Sequence, residues 1–336
     1  MKIVVFEIEN WEREIFEKLR AIAEVEYVDE PLTADNAPQY ADAQAISTFI
    51  YSDLSAEILK QFNQLQLIAT RSTGFDQINL DYCQEQGVTV CNVPSYGEHT
   101  VAEHTFGLLL AISHNLIEAA ERTRKGDFSF KGLQGFDLRG KTLGVIGTGS
   151  IGQCVIEIAK GFRMEVVAYE PKPKQELAAK LGFRYAEMEE LLATADIVTL
   201  HVPANEKTHH LLSTEQFTLM KSGVILINTT RGSVVDIQAL LHAIAEGKVA
   251  AVGLDVLPEE VVLRKASKLL NTVDRKEHEL ETLLADLVLL RLPNVIVTPH
   301  SAFNTREARE RILHITLDNI TAFTQGVPQN VVVEDK

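Results

Sequence analysis

The chain has 336 residues, 46% of them apolar and 24% charged, and a formal net charge of -15. That length exceeds one ordinary core and predicts two domains, while the composition excludes a disordered or fibrous chain. The acidic balance argues against nucleic acid and anionic membranes as partners, and no apolar run nears the roughly 18 residues that a membrane span needs.

The opening MKIVVFEIEN is too short in apolar residues for a secretory signal, so a cytoplasmic location is expected. The first hundred residues then alternate strand-like and helix-like runs: KIVVFEI, amphipathic WEREIFEKLRAIA, VEYVDE, AQAISTF, helical SAEILKQFN, LQLIATRS and GVTVCNV. Such alternation predicts a parallel sheet with crossover helices. VAEHTFGLLLAISHNLIEAAERTRKG, residues 101–126, carries apolar residues at three and four spacing and predicts one long helix that stops at a basic run and Gly126.

After LQGFDLRGK the alternation resumes with TLGVIGT, SIGQCVIEIAKGF, EVVAYE, QELAAKLG, ADIVTLHVP, VILINTT, DIQALLHAIAEGK, AVGLDV and VIVTPH. This predicts a second doubly wound sheet, ending near residue 302. TREARERILHITLDNITAFTQG reads as a final amphipathic helix. Cys83, Cys91 and Cys154 are odd in number and lack a C-x-x-C spacing, so they read as buried small hydrophobes rather than a disulfide or zinc framework.

TLGVIGTGSIG, residues 142–152, runs an apolar strand into G-x-G-x-x-G. The motif alone could be a plain strand-to-helix turn. Its setting points to a dinucleotide: Gly147 allows the turn, Gly149 lets backbone N–H groups approach a pyrophosphate, and Gly152 lets the helix lie close to the sheet with its N-terminus facing the anion. The strand EVVAY then leads to Glu170, whose carboxylate can accept both hydroxyls of an adenosine ribose. A negative charge there repels an NADP 2′-phosphate and favours NAD, although Lys172 and Lys174 in EPKPK pull the other way.

Three later strand ends carry polar groups: NTTRGSVVD with Arg231, GLDVLPEE with Asp255 and Glu260, and VIVTPHSAF with His300. Each has a bland reading: a surface turn, a solvated helix, a loop cap after proline. Together they fit reduction of a 2-keto acid. Arginine grips a carboxylate with two prongs, histidine titrates near neutrality and exchanges the carbonyl proton, and a neighbouring carboxylate favours its charged form.

In order along the chain, RSTGFDQIN, NVPSYGEHTVAEHTFGLLL, GVIGTGSIG, LHVP, INTTRGSVVD, GLDV with Glu260, and TPHSAF resemble the D-isomer-specific 2-hydroxyacid dehydrogenases, most of all their D-lactate dehydrogenase branch. The resemblance covers nearly the whole chain. It implies an α/β molecule of two doubly wound parallel-sheet domains, in which a Rossmann-type NAD domain is inserted into a flavodoxin-like substrate domain. Residues 1–96 and 303–336 would form the substrate domain, and 97–302 the NAD domain, with helix 101–124 pairing two copies into a homodimer.

It further implies Arg231 on the substrate carboxylate, His300 as acid/base and Glu260 as its support. Thr73 and Gly74, beside Ser72, would help hold the carboxylate, and Tyr96 and Phe303 would border the substrate methyl group or simply pack. For NAD it implies Ser150 and Ile151 at the pyrophosphate, Val202 and Pro203 beside the adenine side, Thr208, Thr229 and Thr230 near the nicotinamide, and Asp255 on its carboxamide.

The segment between Glu260 and His300 is longer than that branch's pattern and reads as one extended amphipathic helix over the cleft entrance, which bears on substrate size. His99, His104, His114, His209 and His210 form no metal-type group with acidic partners and read as surface or helix-packing residues, so no metal is expected. The leading expectation is NAD-dependent reduction of pyruvate or a close 2-keto acid to the D-hydroxy acid. The alternatives are a dehydrogenase of larger keto acids, a glyoxylate or hydroxypyruvate reductase, and an NAD-sensing, corepressor-like binding protein.

Overall fold

Short runs of Val, Ile and Leu bounded by polar turns form strands buried on both faces, as a parallel sheet covered by helices requires. The computed structural model describes residues 1–258 and 277–332. The chain divides into two compact units, Met1–Gly97 with Asn304–Lys336, and Glu98–Phe303. Phe303, expected with the substrate domain, therefore falls in the second unit.

The first unit begins with β1 (Lys2–Val5), α1 (Asn10–Phe16), β2 (Glu24–Tyr27), β3 (Ala45–Thr48), α2 (Ala56–Leu59), β4 (Leu67–Thr70), α3 (Leu80–Gln86) and β5 (Thr89–Cys91). Its sheet has the order β2-β1-β3-β4-β5, every pair parallel. The period of two along a strand sorts the core into two layers. Val4, Ile46, Ile68 and Val90 face one cluster with Phe6 and Leu54, while Ile3, Val5, Ala45, Leu67 and Ala69 face the other with Phe16 and Leu19.

The second unit opens with α4 (Glu98–Ser113) and α5 (Leu116–Arg124). The single long helix expected over 101–124 is thus broken. Asn115 takes a left-handed conformation at φ 49, and its Nδ2 donates to the carbonyls of Leu133 and Gln134, while the Ser113 carbonyl accepts from the Phe136 amide. Asparagine tolerates that region because its short side chain can bond locally. Tertiary acceptors therefore end the helix where apolar spacing would continue it.

There follow β6 (Thr142–Ile146), α6 (Ser150–Gly161), β7 (Glu165–Tyr169), α7 (Gln175–Leu181), β8 (Arg184–Tyr185), α8 (Met188–Thr194), β9 (Ile197–Leu200), α9 (Thr214–Leu219), β10 (Val224–Asn228), α10 (Ile237–Ala245), β11 (Val249–Leu254), α11 (Glu277–Leu289) and β12 (Val295–Val297). The parallel sheet runs β12-β11-β10-β9-β6-β7-β8. Strand order reverses at β6, so the glycine loop that follows β6 lies at the switch point where doubly wound sheets bind ligands. Alternation again makes two cores: Ile146, Val198, Leu200, Leu226 and Val252 on one face, and Leu143, Val145, Ile197, Ile225 and Ile227, with α4 and α6, on the other.

The chain returns to the first unit through α12 (Arg306–Thr324), capped by the Thr305 hydroxyl accepting from the Ala308 amide. Its Leu313, Leu317 and Ile320 join the Ile3 and Val5 layer. Beyond it Val331 bridges antiparallel to Cys91. The segment expected as one extended helix after Glu260 is described only from residue 277; Glu260 itself lies outside the described residues.

Candidate functional site

The glycine loop is shaped by close approach. Gly147 has φ 96, and a Cβ there would sit 2.4 Å from the His201 carbonyl oxygen; one on Gly152 would sit 2.1 Å from the Gly147 oxygen. Around Gly149, in contrast, nothing lies within 4 Å of a Cβ position. Two glycines close the turn and the third leaves open space. The first bond of α6 runs from the Gln153 amide to the Gly149 carbonyl at 3.0 Å, so the amides of Ser150, Ile151 and Gly152 start the helix without an acceptor inside it. A dinucleotide pyrophosphate fits such a cradle.

Glu170, just past β7, is tied to this loop. Its Oε2 accepts from the Thr148 amide at 3.0 Å and the Thr148 hydroxyl at 3.2 Å. That hydroxyl in turn lies 3.1 Å from the Tyr185 Oη. Oε1 carries no hydrogen bond among the described residues, leaving an acceptor for a ribose hydroxyl. Val202 is half-buried and Pro203 exposed after β9. The Thr208 hydroxyl donates to the Pro203 carbonyl at 2.6 Å and closes that loop. Beneath, the His201 ring is buried against the Thr199 hydroxyl at 2.9 Å, and burial drives its pKa down to about 3, so the ring is neutral.

At the end of β10, Asn228 is 1% exposed and organises the turn that carries three expected residues. Its Oδ1 accepts from the Thr230 amide at 3.0 Å and hydroxyl at 2.7 Å, and its Nδ2 donates to the Arg231 carbonyl at 3.0 Å. The Thr229 hydroxyl lies 3.2 Å from that of Thr105 on α4. The Arg231 guanidinium, half-buried, donates from Nη1 to the Thr230 carbonyl at 2.9 Å.

Asp255, at the end of β11 and 1% exposed, holds the turn after β12. Its Oδ1 accepts from the Thr298 hydroxyl at 2.5 Å and the Ser301 amide at 2.9 Å, and its Oδ2 from the Ala302 amide at 2.8 Å. Burial alone would raise this carboxyl, but the bonds from His104, Thr298, Ser301 and Ala302 outweigh it and hold it below the usual carboxylate range. His300 sits inside that turn at φ 53. Arg231 and His300 thus follow strands that flank β11, whose axes lie about 10 Å apart at normal strand spacing, on the carboxyl edge that also carries the glycine loop.

His104 departs from its expected surface or packing role. Its Nε2 lies 3.0 Å from the Thr298 hydroxyl and 3.5 Å from Asp255 Oδ1. The remaining histidines behave otherwise: His209 and His210 stack at 4.0 Å, and among the described residues no cluster of three or more His, Cys, Asp or Glu side chains could hold a metal ion.

In the first unit, the turn after β4 holds Ser72, whose hydroxyl donates to the Gly74 carbonyl at 2.6 Å, and Thr73, whose hydroxyl donates to the Val93 carbonyl at 2.6 Å. The amides of Thr73 and Gly74 donate no hydrogen bond among the described residues, which leaves two N–H groups for an anion. Tyr96 is half-buried, and its carbonyl accepts from Arg311 Nε at 2.5 Å. Phe303 is half-buried in the second unit.

Residues 106–302 match the sequence pattern of the NAD-binding domain of the D-isomer-specific 2-hydroxyacid dehydrogenases. The chain belongs to that family. Its second unit is therefore an NAD-binding domain, and its activity is NAD-dependent D-2-hydroxyacid dehydrogenation. The dehydrogenase is 36% identical to a 2-hydroxyacid dehydrogenase homolog of Haemophilus influenzae, over 99% of each chain. It is 33% identical to a D-lactate dehydrogenase of Escherichia coli, over 97% of this chain and 98% of that one. A solved D-lactate dehydrogenase of Aquifex aeolicus, complexed with NAD and lactic acid, is similar with a TM-score of 0.87 and 34% identity, over 99% of this chain and all of that one.

Asn228, Thr148, Tyr185 and His104 were not singled out as site residues by sequence. Asn228 carried a usable signal, a buried amide ending an apolar strand directly before TTRG. The other three act through partners brought together by folding.

Proposed function

We propose that the dehydrogenase reduces pyruvate or a close 2-keto acid to the D-2-hydroxy acid, with His300 as the acid/base, Glu260 supporting it and Arg231 gripping the carboxylate. The observation that carries this reading is the carboxyl edge of the second sheet, where strands flanking β11 deliver Arg231 and the Asp255-held His300 turn to the side of the glycine loop. Bound NADH supplies the hydride. His300 gives its proton to the carbonyl oxygen as negative charge develops there, and in the reverse direction removes it. Arg231 fixes the carboxylate with a planar fork, which orients the carbonyl for attack on one face and so sets the product's configuration.

The dinucleotide would rest on Ser150, Ile151 and Gly152 at its pyrophosphate and on Glu170 at its ribose, with Thr229, Thr230, Val202, Pro203 and Thr208 along its length and, by the family resemblance, Asp255 at the carboxamide. Thr73 and Gly74 are assigned to the substrate carboxylate, and Tyr96 and Phe303 to its methyl side, by the family resemblance. Glu170 disfavours NADP by placing a carboxylate where the 2′-phosphate would lie.

We further infer a cytoplasmic homodimer. Cys83 and Cys91 are buried free thiols whose pKa burial pushes up to about 11, in keeping with a reducing compartment. Among the described residues no helix is long and apolar enough to cross a membrane. Pairing is supported by apolar exposure on the second unit: Leu116 and Ile117 on α5, and Phe128 and Phe130, which are 82% and 89% exposed.

A panel of 2-keto acids with NADH, followed by loss of absorbance at 340 nm, tests the activity. Turnover of pyruvate ahead of branched keto acids, glyoxylate and hydroxypyruvate is expected. Preference for a larger acid would reassign the substrate, and absence of turnover on all of them would favour a sensing protein.

A further inference from the structure

The turn that carries His300 is a conformation that needs holding. A histidine at φ 53 persists only where its surroundings determine the backbone on several sides. Asp255 supplies those constraints through the Ser301 and Ala302 amides, but Asp255 is itself a buried carboxylate in need of donors. One of them, the Thr298 hydroxyl, is itself bonded from a distant element, α4.

The direction of that bond follows from counting protons. The Thr298 hydroxyl spends its hydrogen on Asp255 Oδ1 at 2.5 Å, so it can only accept from His104 Nε2 at 3.0 Å. Nε2 therefore carries a proton, and its positive end lies 3.5 Å from Asp255 Oδ1. This holds whether or not Nδ1 is also protonated. The next residue of α4 acts on the neighbouring strand end. The Thr105 hydroxyl donates to the Val101 carbonyl at 2.9 Å and so accepts from Thr229 at 3.2 Å.

We propose that His104 is a positioning residue for the reaction, which through Thr298 and Asp255 locks the turn bearing His300, while Thr105 fixes the adjoining end of β10 at Thr229. Two consecutive residues of one helix thereby set both strand ends on which the chemistry depends. The proposal rests on the acid/base role of His300 argued above. It makes α4 more than a packing element, since the donor at 104 reaches the turn by chemistry rather than by shape.

Two substitutions separate chemistry from shape. His104→Leu fills much of the same space without a donor, and His104→Gln keeps an N–H at similar reach. Amide hydrogen exchange of the full-length protein, read on peptides spanning residues 298–303, reports the lock directly and needs no activity. Loss of one hydrogen bond between neutral groups is worth about fivefold, so His104→Leu should exchange there about fivefold faster. Its kcat should fall by a similar factor, with the NADH Kd and the keto-acid KM within about twofold of the unaltered protein, and His104→Gln should recover both exchange and kcat. Wild-type exchange and kcat in His104→Leu would overturn the proposal, as would equal impairment in His104→Gln. If the unaltered protein turned over no 2-keto acid while His104→Leu still loosened the turn, the assigned function would fall and the lock would stand.

Discussion

His300 and Arg231 carry the sharpest expectations of the account. His300→Ala should lower kcat by roughly 10² to 10⁴ fold, the usual worth of a positioned acid, while an NADH fluorescence titration gives an unchanged Kd; full activity would remove the histidine from the mechanism. Arg231→Lys should raise the keto-acid KM strongly, because a point charge does not reproduce the fork, and an unchanged KM would refute the carboxylate grip. Glu170 should give NADH an advantage of at least about tenfold in kcat/KM over NADPH, and Glu170→Ala should narrow or reverse it. His201 makes a prediction about stability. Its folded pKa is lowered to about 3 by burial, against about 6.5 when unfolded. Between those values the unfolded chain takes up a proton that the folded one does not, so stability present above pH 6.5 is lost as pH falls toward 3. By linkage this costs on the order of 2 kcal/mol at pH 5, and urea titrations at pH 7 and pH 5 should differ less for His201→Gln than for the unaltered protein. The position of Arg231 and His300 on one sheet edge was legible in sequence because each follows an apolar strand within a short polar motif. His104 was not, since its partner Thr298 lies 194 residues away and only packing joins them.

Elements were legible wherever periodicity and local chemistry agree. The strand-turn-helix of β6 and α6 is the clearest case, and Gly152 is where it can be broken. A methyl group 2.1 Å from the Gly147 oxygen forces the loop apart, so Gly152→Ala should lower the melting temperature and weaken NADH binding at least about tenfold, overpacking of this kind costing about 1–3 kcal/mol. A calorimetric scan and an NADH titration matching the unaltered protein would contradict the reading. The helix expected over 101–124 failed where the two signals diverge. Apolar spacing continues through Asn115, yet its left-handed backbone and its bonds to Leu133 and Gln134 turn the chain. The segment beyond that turn leaves Phe128 and Phe130 in solvent. If they cover a second copy, Phe128→Asp with Phe130→Asp should sediment as a monomer where the unaltered protein sediments as a dimer, and equal sedimentation would place the pairing surface elsewhere.

At the scale of the molecule, the arrangement of the two sheets explains why the glycine loop stands near the middle of the chain. The second unit is a continuous stretch, Glu98–Phe303, set into a first unit whose sheet is completed in sequence before it and whose covering helix α12 comes after it. Alternating strands and helices made both sheets legible, because a strand buried on both faces has to read as an apolar run. The contribution of Glu260 rests on sequence alone. One carboxyl edge carries Arg231, the His300 turn and the glycine loop, and if these serve as the proposed carboxylate grip, proton donor and dinucleotide cradle, hydride is added to one face of the substrate. The most direct measurement is chiral chromatography of the lactate formed from pyruvate and NADH by the purified protein. D-lactate, formed in step with NADH oxidation, is the predicted result; L-lactate, a racemate or no lactate would contradict it.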